Sequence, residues 1–248
     1  MTPGSGPSAE NIRFSLVVLC YRSEDSIVPI VEKLHQMRSY YKFPYELVLV
    51  GNYFEGSSDR TPQVVTELAR RMPCTRAVVL PKRGEMGWDM RKGLEAARGE
   101  LIGVIDGDGQ FPLESIFSCL IKIETENLDL VKTYRVHRED GLYRTIISVV
   151  YNALFGLIFR TRFRDVNSKP KIIRRSKYLL MDLRSDDWFT DAEIMIRADQ
   201  LNLKVAELPI HFYAIDGRKS FVRPWAIVEF IRNLWTYRAH RTRRRSHV

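Results

Sequence analysis

No two of the three cysteines, Cys20, Cys74 and Cys119, stand at C-x-x-C spacing, so neither a zinc site nor a disulfide framework is indicated. A reducing compartment such as the cytoplasm fits that usage. The first ten residues, MTPGSGPSAE, lack a basic start and an apolar centre, and residues 1–12 read as a disordered leader, not a signal peptide. Long apolar runs are scarce as well. Ile146 to Phe159 is the longest, and it is interrupted by Ser148, Asn152 and Gly156 and falls short of the roughly 20 residues that cross a bilayer. Acidic residues are in deficit: 30 Asp and Glu against 39 Lys and Arg leave a net charge of +9, which calls for an anionic partner. No zinc finger, RNP-type aromatic pattern or helix-turn-helix signature accompanies that excess, so specific nucleic-acid binding is disfavoured.

The 248 residues have ordinary globular composition, 45% hydrophobic and 28% charged, which suits one α/β domain. Phe14 to Cys20 is expected to be a buried strand, followed by a helix in which Ile27, Ile30, Val31 and Leu34 recur at helical spacing. Glu46 to Val50 reads as a second strand that breaks at Gly51-Asn52, and Pro62 marks the first turn of the next helix. A strand over Ala77 to Leu80, a helix over Gly87 to Ala97 and a strand over Leu101 to Ile105 continue the alternation. That rhythm indicates a Rossmann-like, mostly parallel sheet with helices on both faces. Then follow a helix at Leu113 to Glu126, a strand at Leu128 to Tyr134 and a long apolar helix at Leu142 to Phe163. A strand at Lys171 to Arg174, a helix at Asp191 to Leu201 and a strand at Val205 to Phe212 are expected to complete the domain, and residues 223–248 read as an amphipathic basic helix and tail. Ligands of such sheets bind beyond the carboxyl ends of the strands, so the loops after Cys20, Gly51 and Asp106 should meet in one cleft.

The stretch most telling of chemistry is Leu101-Ile-Gly-Val-Ile105 running into Asp106-Gly-Asp108-Gly-Gln110. An apolar strand there delivers two carboxylates into a glycine-loosened turn, where both can approach one cation. Hard ions such as Mg²⁺ or Mn²⁺ take oxygen ligands and share coordination with substrate phosphates. Asp108 is the expected direct ligand, Asp106 a ligand through water or a contact to ribose, and Gln110 a supporting oxygen. A plain Asp/Gly turn is the bland alternative. An EF-hand is excluded because its glycine and glutamate positions, counted from Asp106, hold Phe111 and Phe117. An aspartate-nucleophile phosphotransferase also ends a strand in D-x-D, but it wants Thr or Val where Gln110 stands.

Several patches in order resemble the family 2 glycosyltransferases of GT-A fold, and within them the dolichol-phosphate and polyprenyl-phosphate sugar transferases. Leu19 to Glu24 stands for the first-strand loop, Gly56-Ser-Ser-Asp-Arg-Thr61 for a G-S-x-D-x-T loop, and Arg83 to Gly93 for the glycine-containing helix. Asp106 to Pro112 matches D-A-D-x-Q-x-P, and Asp165 to Lys171 with Arg174 and Arg175 resembles the acceptor-side motif. Trp188 to Glu193, Glu207 to Pro209 and Gly217 to Ser220 finish a series covering roughly residues 13–222. Its nucleotide half would occupy about 13–135 and its acceptor half about 136–222. One departure stands out: Phe54-Glu55 occupy the place of two acidic residues that help hold base and ribose in the family.

The resemblance implies a metal-dependent, inverting transfer of a sugar from a nucleotide-diphosphate donor to a polyprenyl phosphate. It places Tyr21, Glu24, Asn52, Glu55 and Asp59 with the donor, together with Arg83, Gly84, Asp106 and Ser220. Arg218 and Lys219, with Ser220, resemble the mobile loop that clamps the diphosphate, hinged at Gly217. Ser168 and Lys169, with Arg135 and Arg144, are the candidates to hold an acceptor phosphate. Asp191 occupies the position of the base in members that act on hydroxyl acceptors, such as a soluble metabolite or a glycan; its plainer role is a charge at the start of the following helix. An inactive relative that binds nucleotide sugar without transfer is a further alternative.

The helix from Leu142 is most economically a partly buried core helix. Its flanking residues Arg144, Arg160, Arg162 and Arg164, like Arg238, Arg241 and Arg243 to Arg245 in the tail, also suit the headgroup region of an anionic membrane. A peripheral position at the inner face of the membrane follows. Either segment equally suits an interface between copies of the chain.

Overall fold

Strand β1, Phe14–Leu19, is buried along its whole length between two parallel neighbours, β2 (Tyr45–Val50) and β4 (Leu101–Asp106). A strand covered on both faces reads as a continuous apolar run, which is what FSLVVL is. The computed structural model describes residues 12–40, 43–139, 141–214 and 237. Its sheet has seven strands in the order β3-β2-β1-β4-β6-β5-β7, with β3 at Thr75–Val78, β5 at Leu130–Arg138, β6 at Lys171–Arg174 and β7 at Val205–Phe212. All pairings are parallel except those of β6, which runs antiparallel between β4 and β5.

Side chains alternate along β1 between two cores. Phe14, Leu16 and Val18 meet Ile27, Val31 and Leu34 of α1 (Ile27–Gln36), Val65 and Leu68 of α2 (Thr61–Arg71) and Ile116 of α4 (Glu114–Thr125). Val17 and Leu19 turn the other way, toward Met90 and Leu94 of α3 (Met86–Ala96) and Ala192 and Met195 of α7 (Thr190–Gln200). Helix α6 (Arg175–Met181), which the sequence did not announce, adds Met181 to that second core. The third strand begins two residues earlier than expected, because β2 ends at Val50 opposite Val78 and offers Val79 and Leu80 no ladder partner. Position 135, the expected boundary between halves, falls within β5.

Helix α5 runs over Leu142–Phe159 and stops at Arg160, whose left-handed backbone (φ 56°) ends it short of Phe163. It is not a core helix. One stripe, Tyr151, Phe155 and Phe159, is buried at i, i+4 spacing, while Leu142, Tyr143, Ile146, Val149, Val150 and Leu157 are exposed, Leu142 and Leu157 each by 76%. At 18 residues it is long and apolar enough to cross a membrane by length and composition. The expected amphipathic helix at Trp225 to Tyr237 and the basic tail lie outside the described residues except for Tyr237, whose ring packs 5.1 Å from that of Phe189.

Candidate active site

The register of the central strands brings three loops together. Leu19 pairs with both Val50 and Asp106, so β1, β2 and β4 end at one level. Asp106 closes β4 and is partly exposed, and Asp108 follows on a turn made possible by Gly109, whose φ of 78° is a region that side chains disfavour. The Asp108 Oδ1 accepts the Gln110 N–H at 3.1 Å. Gln110 itself is buried, and its amide Nε2 donates to the Tyr213 carbonyl at 3.0 Å while Tyr213 N–H bonds back to the Gln110 carbonyl. Its amide nitrogen therefore ties the turn to the end of β7, an anchoring that uses a different atom from the oxygen expected to support a metal.

Across the cleft stands a buried row of alternating charge. Lys169 Nζ lies 3.3 Å from Asp106 Oδ2 and 2.9 Å from Asp191 Oδ2, and Lys171 Nζ bonds the other oxygen of Asp191. Lys169, Lys171 and Asp191 are almost fully buried. Burial would raise the Asp191 carboxyl, but the two ammonium groups outweigh it and hold the group below its ordinary range. Burial works downward on both lysines; at Lys169 the carboxylates of Asp106 and Asp191 win and raise it, whereas at Lys171 burial, with the charges of Lys169 and Lys132, outweighs Asp191 and pushes it down to about 8. Asp191 sits in the first turn of α7 without capping it through its side chain, since Phe189 is the cap. Among the described residues no three His, Cys, Asp or Glu side chains cluster as a closed metal site. Two carboxylates on one turn do fit an ion such as Mg²⁺, which takes one or two protein carboxylates and completes its shell with phosphate oxygens and water.

On the donor side, Asn52 is buried, gives its amide to Asp89 Oδ1 at 2.9 Å and accepts the Leu80 N–H at 2.8 Å. Asp59 bonds Thr61 N–H and hydroxyl at the start of α2, and Glu24 is linked to the same loop through Thr61 Oγ1 and the Arg60 N–H. These residues shape the loops around the cleft. Tyr21 is partly buried beside them, whereas Glu55 and Arg83 are exposed. Gly84 lies against Asp186, whose carbonyl receives the Glu85 N–H at 2.7 Å, so the start of α3 is stitched to the loop before α7.

The acceptor candidates divide. Lys169 is in the row described above. Ser168 is fully buried, its hydroxyl 2.9 Å from that of Thr133 and its carbonyl accepting from Lys171 Nζ at 2.9 Å. The Arg135 guanidinium makes a fork with Asp165, at 2.6 and 2.5 Å, so its charge is already matched. Burial would raise the Asp165 carboxyl, yet Arg135 outweighs it and holds the group down at about 2. Arg144 is half-buried near the start of α5. Arg218, Lys219 and Ser220 lie outside the described residues.

Sequence reasoning passed over Lys171, Glu193 and the pair Lys82–Asp89. Glu193, fully buried, accepts the Arg184 and Ser185 N–H groups at 3.0 and 2.8 Å and the Tyr237 hydroxyl at 3.3 Å, fastening the loop before α7. An acidic residue amid apolar neighbours, as in Trp88-Asp89-Met90, was the available signal that a buried partner existed.

Residues 15–181 match the family model described as Glycosyl transferase family 2. A dodecaprenyl-phosphate galacturonate synthase of Rhizobium johnstonii is 33% identical over 175 residues, 70% of this chain and 51% of that protein, so the chain spans about half its length. A dolichyl-phosphate beta-glucosyltransferase of Trichomonas vaginalis is 28% identical over 224 residues, 84% of this chain and 68% of that protein. Among solved structures, glucosyl-3-phosphoglycerate synthase from Mycobacterium tuberculosis in complex with UDP superposes with a TM-score of 0.69 at 18% identity, over 93% of this chain and 81% of that one. The same protein has been solved with Mn²⁺, UDP and glucosyl-3-phosphoglycerate. At such identity the likeness is one of fold.

Proposed function

The chain belongs to glycosyl transferase family 2, and from that membership we propose that it transfers a sugar, with inversion, from a nucleotide-diphosphate donor to a polyprenyl phosphate at the cytoplasmic face of a membrane. The relatives named for dodecaprenyl and dolichyl phosphate support the acceptor class. The observation that carries the reading is the charge row Asp106, Lys169, Asp191, Lys171, which starts at the end of β4 and runs across the cleft to α7.

Asp106 and Asp108 are the residues that would hold Mg²⁺ or Mn²⁺ against the donor diphosphate. A bound ion of that kind supplies counter-charge to the leaving group. Lys169, its ammonium held between Asp106 and Asp191, stands between this pair and the acceptor side. A lipid monophosphate already carries an ionised oxygen near neutral pH, its second pKa being about 6, so no base is required. A hydroxyl acceptor would need Asp191 to take a proton. Both Asp191 oxygens are committed to Lys169 and Lys171, which speaks against that role. Attack opposite the departing diphosphate inverts the anomeric carbon without a covalent intermediate. Arg218, Lys219 and Ser220 would clamp the diphosphate, and Arg144 would meet the acceptor phosphate. The exposed apolar face of α5, bracketed by Arg144, Arg160, Arg162 and Arg164, suits the headgroup zone where such a lipid resides.

A thermal-shift screen of GDP-, UDP-, dTDP- and CDP-sugars with and without Mn²⁺, followed by transfer from the best donor to a short polyprenyl phosphate, tests this reading. Metal-dependent stabilisation and a lipid-linked product are expected. No stabilisation by any donor would overturn it.

A further inference from the structure

The carboxylate that closes β4 already has a cation. Lys169 Nζ lies 3.3 Å from Asp106 Oδ2 and 2.9 Å from Asp191 Oδ2, and its side chain is 3% exposed where that of Asp106 is 27% exposed. The ammonium therefore meets Asp106 from the protein side, and the rest of that carboxylate is open to solvent. The backbone fixes where the lysine starts. Thr133, fully buried on β5, donates its hydroxyl to the Lys169 carbonyl at 2.6 Å and its N–H to the Pro170 carbonyl at 3.2 Å, so the chain is pinned just before β6. Lys171 answers the other oxygen of Asp191 and bonds the Ser168 carbonyl at 2.9 Å. Asp191 thus has a cation of its own, and Lys169 is the lysine that reaches across to β4.

An ammonium seated on a carboxylate opposes a second cation at the same oxygens. Like charges a few ångströms apart in a partly desolvated site repel strongly enough to change affinity by about an order of magnitude or more. A diphosphate removes the conflict, because its oxygens carry the opposite charge and offset ion and ammonium together. We infer that Lys169 is a positioning residue of the metal site, a resident counter-ion that occupies Asp106 while the cleft is empty and makes the divalent ion enter with the donor's diphosphate instead of ahead of it. The inference rests on the reading of the chain as a nucleotide-sugar transferase. It gives the alternation of the charge row a use: Lys169 keeps Asp191 as a partner when an ion takes Asp106, so the exchange strands no buried charge.

The test reads Mn²⁺ binding, not turnover. The electron paramagnetic resonance signal of the free ion would be titrated with the wild-type chain, K169M and K169Q, each with and without saturating nucleoside diphosphate of the best donor. K169M removes the charge and leaves Asp191 its pair with Lys171. K169Q removes the charge but keeps an N–H donor for the carboxylates, and it carries the test if K169M does not fold. Without nucleotide, either variant should bind Mn²⁺ about tenfold more tightly than wild type. With nucleotide the difference should shrink to less than about threefold, so ion and diphosphate are less strongly coupled than in the wild type. Loss of a merely structural residue would lower the affinity or leave it as it was. On the wild-type chain itself, the nucleotide should raise Mn²⁺ affinity by about tenfold or more. Unchanged or weaker Mn²⁺ binding by the variants without nucleotide, an equal gain with and without it, or a wild-type affinity that ignores the nucleotide would overturn the inference while the transferase reading stands. Failure of the wild-type chain to bind any nucleoside diphosphate with Mn²⁺ would instead remove that reading, and this inference with it.

Discussion

Asp191 illustrates how much a single side chain's surroundings decide. Its carboxylate satisfies two buried lysines, so Asp191→Ala leaves both ammonium groups without it and should cost about 3–5 kcal/mol of stability, read as a lower melting temperature. Loss of activity in that variant would therefore not identify a base. Asp108→Ala is a cleaner probe because the residue lies on a partly exposed turn: the fold should persist while metal-dependent transfer falls by about a thousandfold, measured as turnover at saturating Mn²⁺. Arg135 and Asp165 provide a pH signature. The Asp165 carboxyl is lowered from 3.8 to about 2, so the fork stabilises the fold fully above the ordinary value and that contribution is lost as pH falls through about 2. The shift corresponds to roughly 2 kcal/mol. Urea unfolding should show the gap between wild type and Asp165→Asn closing as pH drops from about 5 to about 2. Asp106 and Asp108 were legible as strand-end carboxylates from spacing alone. The partners of Ser168 and Gln110 were not legible that way, because Thr133 on β5 and Tyr213 just past β7 are distant in sequence.

Helices show the same division. The periodicity of α1 predicted the stripe it buries, Ile27, Val31 and Leu34 with Ile30 partly covered, since one apolar stripe has one sheet to meet. Helix α5 is apolar around most of its circumference, so its pattern did not say which stripe is buried; Tyr151, Phe155 and Phe159 take that place and leave Ile146 and Val149 exposed. Ile146→Glu with Val149→Glu should leave the melting temperature unchanged and reduce sedimentation with anionic vesicles, as expected if that face enters the headgroup region. The contact of α3 with the start of α7 is the opposite case, a close approach. A Cβ on Gly87 would stand 2.0 Å from Thr190 Oγ1 and 2.2 Å from the Asp187 carbonyl, so Gly87→Ala should destabilise the fold by about 1–3 kcal/mol in denaturant unfolding.

For the molecule as a whole, the net charge of +9 and the arginines around α5 and in the tail predict that vesicle binding depends on anionic lipid and weakens steeply with added salt, since such charges are screened within about 10 Å at 0.1 M. The sequence by itself determined the alternation of strands and helices, the acidic turn after the fourth strand and the family, because periodicity and ordered motifs are local along the chain. Tertiary structure alone decided that β6 enters antiparallel between β4 and β5, bringing Lys169 and Lys171 to Asp191, and that Lys82 lies over the rings of Tyr21 and Phe54. Those encounters depend on which strands become neighbours, and a buried charge declares its partner only once the chain has folded around it.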